Sequence, residues 1–143
     1  MAEVEAMGEH LWPGTLDIMG WDVDTEGFGV IFAQAIPPFA EANMGPAVAG
    51  ILAPAGLTLK DVDRFICHPG GTKVVQALER ALALPQGCLD HERAVLADYG
   101  NMSAPTVLFV LERVVRAGLP PRSATTAMGP GFTASCAVLK AAA

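Results

Sequence analysis

The stretch APTVLFVL, residues 104 to 111, is apolar on every side of a helix for two turns. Ser103 ahead of it reads as a cap and Pro105 as a first-turn proline, and Gly118 closes the segment. The pattern predicts a helix from there to about residue 117. A helix with no polar face is buried all round. A chain of 143 residues is one ordinary domain, and with a single sheet it cannot wrap such a helix completely. The sequence therefore predicts a missing layer, supplied by another chain or by a lost part of this one.

The other segments predict an α/β layered domain with a mixed sheet. Residues 1 to 11 are expected to be a poorly ordered N-terminal segment, with the domain over 12–143. TLDIMGWDV (15–23) and GFGVIFA (27–33) read as strands joined by an acidic turn, a hairpin. Pro37-Pro38 opens a helix to about residue 53, and Thr58 reads as the cap of a short turn. Residues 64–67 form a short buried strand. A helix follows from Gly70 or Gly71 to about Leu84, with Val74, Val75, Leu78 and Leu82 inward and Lys73, Gln76, Glu79 and Arg80 outward. Residues 90–98 read as a short helix. Two strands, 123–128 and 132–140, flank a Gly-Pro-Gly turn.

Composition narrows the function classes. Hydrophobic residues make up 52% and charged residues 17%, with a net charge of −6. There is no basic cluster, so neither nucleic acid nor an anionic membrane finds an electrostatic footprint. The longest strongly apolar run, residues 107–111, is too short to span a bilayer. The acidic MAEVEAMGEH start lacks the pattern of a signal peptide. Three cysteines, Cys67, Cys88 and Cys136, show no CxxC spacing, which favours a reducing compartment, and a cytoplasmic location is expected. No ligand spacing supports a metal at Cys67, His68, Cys88 and His91, and none is expected.

The segment ICHPGGTK (66–73) brings an apolar strand to a histidine and turns at once. Ligands in open α/β sheets gather at the carboxyl ends of strands. Glycines allow close approach, and the following helix start offers free N–H groups. His68 reads equally well as a working residue and as a partly buried histidine bonded to backbone. Asn101, in YGNMS, could donate its amide to an oxyanion or simply serve a tight turn. Together they make a plausible oxyanion hole, but no nucleophile completes it. Cys67 neighbours His68, yet successive strand residues face opposite ways, so a buried structural thiol is the better reading.

ICHPGGTKVV, DYGNMSAPTVLFVLE and the terminal MGPGFT resemble type III polyketide synthases, the chalcone and stilbene synthase family. TLDIMGWDVDTEGFGVIFAQAIP is similar to the bacterial alkylresorcinol and alkylpyrone branch. The resemblance runs from about Trp12 to Leu139 and covers only that family's C-terminal half. It implies a thiolase-like half, with helix 104–117 sandwiched against the N-terminal half.

It also implies an acyltransferase that condenses malonyl-CoA, with loss of carbon dioxide, onto an acyl-CoA starter. CoA thioesters are substrates, and no cofactor is expected. His68 would activate the cysteine thiolate of the N-terminal half and, with Asn101, stabilise the enolate oxygen. Gly70, Gly71 and Lys73 would lie near the pantetheine arm. Ser103 and Gly129, Pro130 and Gly131 would line the cavity, and Val30 falls near a gatekeeping position. The expected partners are the Cys-bearing N-terminal half and a second copy in a homodimer. Two alternatives stand beside this reading: a non-catalytic thiolase-like dimerisation or interaction module, or a truncated fragment; and a ketoacyl-acyl carrier protein synthase of the initiating type.

Overall fold

The computed structural model describes residues 2–142. Its elements in chain order are β1 (Ala2–Leu11), β2 (Met19–Asp24), β3 (Gly27–Phe32), α1 (Ile36–Leu52), β4 (Arg64–Cys67), α2 (Thr72–Ala81), α3 (Asp90–Tyr99), α4 (Thr106–Gly118), β5 (Arg122–Gly129) and β6 (Thr133–Ala141). Four strands form a mixed sheet in the order β1-β6-β5-β4, and β2 and β3 pair as a separate hairpin. β4 runs parallel to β5, and the other pairs are antiparallel.

Residues 2 to 11 depart from expectation. Ala2 to Leu11 pair with β6 along its length, Ala2 opposite Ala141 and Leu11 opposite Thr133. A short local pattern did not mark the segment as a strand because its partner lies some 120 to 140 residues away in sequence. Arg122 adds a two-pronged ion pair to Glu5, at 2.7 and 3.0 Å. Trp12 packs edge-on to Phe39 and Phe132, with ring centroids 5.4 and 5.8 Å away.

The hairpin forms as expected, but its first strand starts at Met19. Residues 15–18 turn instead, with the Thr15 carbonyl accepting the N–H groups of Ile18 and Met19. α1 begins two residues earlier than predicted, since proline lacks the N–H that a helix start leaves unpaired anyway.

Alternation along β4 divides the core. Cys67 joins the cluster under α1 and α2 with Met44, Val48, Val75 and Leu78. Ile66 joins the cluster under α3 and α4 with Val95, Val110 and Val114. α1 and α2 cross closely at Gly45, where a Cβ would lie on the Ala81 carbonyl oxygen. Any side chain there would push the two helices apart.

One further expectation is corrected. Glu79 was placed on the outer face of α2, but it is buried. Its carboxylate accepts N–H groups from Gly87 (2.9 Å) and Leu89 (3.1 Å) and both arms of Arg93 (2.7 and 2.8 Å). The loop after α2 folds over it and supplies the partners that a buried charge needs. The apolar helix α4, as its sequence predicts, is not enclosed by this chain. Thr106, Val110 and Val114 are buried, while Leu108 is 61% and Val115 51% exposed. This chain covers only one side of α4.

Candidate active site

β4 delivers His68 to the carboxyl end of the sheet. The His68 N–H bonds the Thr126 carbonyl at 2.8 Å, the last rung between β4 and β5. The chain then leaves the sheet, and the Gly70 N–H closes a tight turn on the His68 carbonyl at 3.1 Å. Gly71 caps α2 in extended backbone. Lys73 is exposed in the first turn of α2. Partial burial lowers the His68 pKa from its ordinary value, because desolvation disfavours the imidazolium. The side chain is therefore neutral at pH 7.

Asn101 approaches the same turn from α3. Its Oδ1 accepts the Ser103 N–H at 2.9 Å, and its Nδ2 donates to the Gly70 carbonyl at 3.2 Å. An oxygen already holding an N–H fixes which end of the amide is which. The donor end thus lies against the His68 turn. Asn101 is exposed, and one of its two Nδ2 hydrogens is used by Gly70, leaving the other for an incoming oxygen.

Ser103 is not the side-chain cap that its position predicts. α4 begins at Thr106, with Pro105 at the N-cap and no side-chain capping bond. Ser103 adopts φ +63° and offers its carbonyl to the Thr106 N–H (3.0 Å) and to Thr106 Oγ1 (2.7 Å). Sequence reasoning passed over Thr106, whose buried hydroxyl also accepts the Met102 N–H at 2.8 Å.

It also missed Glu92. This fully buried carboxylate accepts the Cys67 N–H at 2.9 Å and Arg64 Nη2 at 2.7 Å. Arg64 Nη1 donates to the Cys88 carbonyl. β4 is an edge strand, and Glu92 satisfies an N–H on its unpaired side. Burial raises the Glu92 pKa, while Arg64 and the Cys67 N–H oppose that rise.

Burial disfavours the thiolate at all three cysteines. Burial pushes the Cys67 thiol far up, with the Glu92 charge adding to the effect, and pushes Cys136 up to about 11. Cys88 is also raised by burial. A thiol with a raised pKa is not a thiolate near neutrality. Among the described residues, no three His, Cys, Asp or Glu side chains cluster as a metal site.

Gly129, Pro130 and Gly131 join β5 to β6. The Gly131 N–H donates to the Met19 carbonyl at 2.9 Å, and the Phe132 N–H donates to Thr15 Oγ1. The turn is thereby tied to the base of the hairpin carrying Val30, which stands opposite Trp21 and is 45% exposed. These bonds unite the hairpin with the Gly-Pro-Gly turn, while Asn101 is what is joined to the His68 loop.

A mixed sheet with helices layered on it, ending in a histidine turn held by an asparagine loop, defines a thiolase-like half. The family model for the C-terminal domain of chalcone and stilbene synthases matches residues 3–143. The chain belongs to that family. It is 39% identical over 140 residues to a 1,3,6,8-tetrahydroxynaphthalene synthase of Streptomyces peucetius subsp. caesius, covering 96% of this chain and 37% of that protein. It is 36% identical over 120 residues to a putative chalcone synthase of Bacillus subtilis (strain 168), covering 82% and 33%. The crystal structure of 1,3,6,8-tetrahydroxynaphthalene synthase from Streptomyces coelicolor A3(2), a bacterial type III polyketide synthase, superposes with a TM-score of 0.86 at 28% identity. That match covers 97% of this chain and 40% of the other. The chain thus spans less than two-fifths of the curated relatives it matches.

Proposed function

We propose that this chain is the C-terminal catalytic part of a type III polyketide synthase-like acyltransferase, which condenses malonyl-CoA onto an acyl-CoA starter. The observation carrying this reading is the double anchoring of Asn101, which holds an amide donor against the turn that follows a neutral histidine. In the proposed step the malonyl C–C bond breaks and carbon dioxide leaves. The electron pair passes to the thioester as an enolate. His68, through a ring N–H, and Asn101, through Nδ2, stabilise the enolate oxygen. The enolate carbon then attacks an acyl thioester on a cysteine carried by an N-terminal portion; the new C–C bond forms as the acyl C–S bond breaks, and the cysteine leaves as its thiolate. The raised thiol pKa values of Cys67, Cys88 and Cys136 favour a nucleophile from outside this chain. Gly70, Gly71 and Lys73 would meet the pantetheine arm, while Ser103, the Gly129–Gly131 turn and Val30 would line the cavity.

The test is to assemble the chain with the Cys-bearing N-terminal portion of a bacterial relative and to follow product from acyl-CoA and malonyl-CoA. Condensation should appear on assembly and disappear with His68→Ala or Asn101→Ala. Full rate in both variants would overturn the assignment. The exposed Leu108 and Val115 also suit a non-catalytic interaction module. That second reading predicts assembly without any condensation.

A further inference from the structure

We propose that Thr106 is a positioning residue for Asn101, its buried hydroxyl locking the turn that aims the amide at the His68 loop. This rests on the reading of Asn101 as an oxyanion donor. Thr106 is fully buried, and its Oγ1 both accepts and donates a hydrogen bond. It accepts the Met102 N–H at 2.8 Å and donates to the Ser103 carbonyl at 2.7 Å. The two bonds grip the chain on either side of the Met102–Ser103 peptide. Between them Ser103 is held at φ +63°, a conformation that disfavours a residue with a Cβ and that persists only where surrounding contacts impose it.

That conformation points the Ser103 N–H at Asn101 Oδ1, 2.9 Å away. With Oδ1 occupied, the amide has one orientation, and Nδ2 reaches the Gly70 carbonyl at 3.2 Å. The chain of bonds runs from a hydroxyl inside the helix start, through a strained backbone position, to the donor beside the histidine turn. The Thr106 N–H already reaches the Ser103 carbonyl at 3.0 Å, so the hydroxyl is not needed to start α4. Its added contribution is the Met102 bond and the second grip on Ser103.

Thr106→Val keeps the shape and removes the hydroxyl, and Thr106→Ser keeps the hydroxyl and removes the methyl, so the pair separates the hydroxyl from the volume of the side chain. In proton–nitrogen correlation spectra of the full chain, the Asn101 Nδ2 proton that meets Gly70 should resonate downfield of its free-amide position and show a cross-relaxation contact to Gly70. Thr106→Val should move that signal back to the free-amide position and weaken the contact, and Thr106→Ser should retain both. A hydroxyl that only stabilises the fold would lower the denaturation midpoint without moving these signals. Unmoved signals in Thr106→Val would overturn the proposal. Should Thr106→Val fail to fold, hydrogen exchange on the unaltered chain decides. The Met102 N–H should be protected, and exchange at the unprotected rate would overturn the proposal.

In the assembled synthase, Thr106→Val should lower kcat by about tenfold at unchanged KM, with Thr106→Ser restoring it. Displaced Asn101 signals with an unchanged rate would sink the oxyanion role of Asn101 and leave the positioning by Thr106 intact.

Discussion

The Glu92 carboxylate reaches across from α3 to hold the backbone N–H of Cys67, 2.9 Å away and twenty-five residues earlier in the chain. α3 carries Glu92 near its start and leads into Asn101 at its end, while β4 carries Cys67 and leads into His68. One buried acceptor therefore joins the two elements that present the candidate site. Removing it with Glu92→Ala leaves Arg64 without its buried partner and the Cys67 N–H without an acceptor. The loss should be about 3–5 kcal/mol, the range for breaking a buried pair from one side. Denaturant titration measures it, and a loss under about 1 kcal/mol would show that water replaces the carboxylate.

Glu79 predicts how the fold responds to acid. Its carboxyl is held down to about 2, first by Arg93 and then by the Leu89 and Gly87 N–H groups, against an ordinary value of 4.5. The folded pKa is depressed, so the contribution is complete above 4.5 and is lost as pH falls from there toward 2. It amounts to about 3 kcal/mol. Glu79→Gln should be less stable at neutral pH, and its stability should fall less steeply across that window. Parallel acid titrations of the two proteins would remove Glu79 as the cause.

His68 is lowered by desolvation, which favours the neutral ring in the folded chain. Its imidazole should titrate below the ordinary histidine value of about 6.5 in a proton NMR series. In the unfolded chain the ring takes up its proton first, so acid costs stability as pH drops through the unfolded value toward the folded one. Condensation by the assembled synthase should hold at pH 7 and decline through the same midpoint. A midpoint above 6.5 would place the ring in an environment that favours the imidazolium.

Much of this was legible in the sequence where chemistry is local. The bounds of β4 and α3 follow from apolar runs, turn residues and caps, while the first strand of the hairpin begins four residues later than its apolar run suggests. Cys67 faces the core because a strand alternates. β1 was not legible, because its register is set by β6 at the far end of the chain. Glu79 reads as a surface charge and Glu92 carries no signal of its own, since their partners Arg93, Arg64 and Cys67 come together only after folding. The cap was assigned to Ser103, and Thr106 went unnoticed, because the sequence does not show that Ser103 takes a positive φ. His68 and Asn101 were each ambiguous alone. The bond from Asn101 to Gly70 joins their loops.

The outer side of α4 gives the last prediction. Leu108 lies in the helix's first turn and is 61% exposed, although the local sequence is uniformly apolar. An apolar side chain in water gains nothing there unless another surface covers it. Leu108→Asp suits the first turn, where a carboxylate meets the positive end of the helix dipole. The stability of this chain should therefore shift by no more than about 0.5 kcal/mol. Under the proposed function, the same charge would be buried against the N-terminal portion without a partner, and that is costly. Co-purification should fall sharply for Leu108→Asp and remain intact for an exposed polar control such as Arg116→Gln. Undiminished assembly of Leu108→Asp would mean that this side of α4 stays in water, and the apolar run would need another explanation.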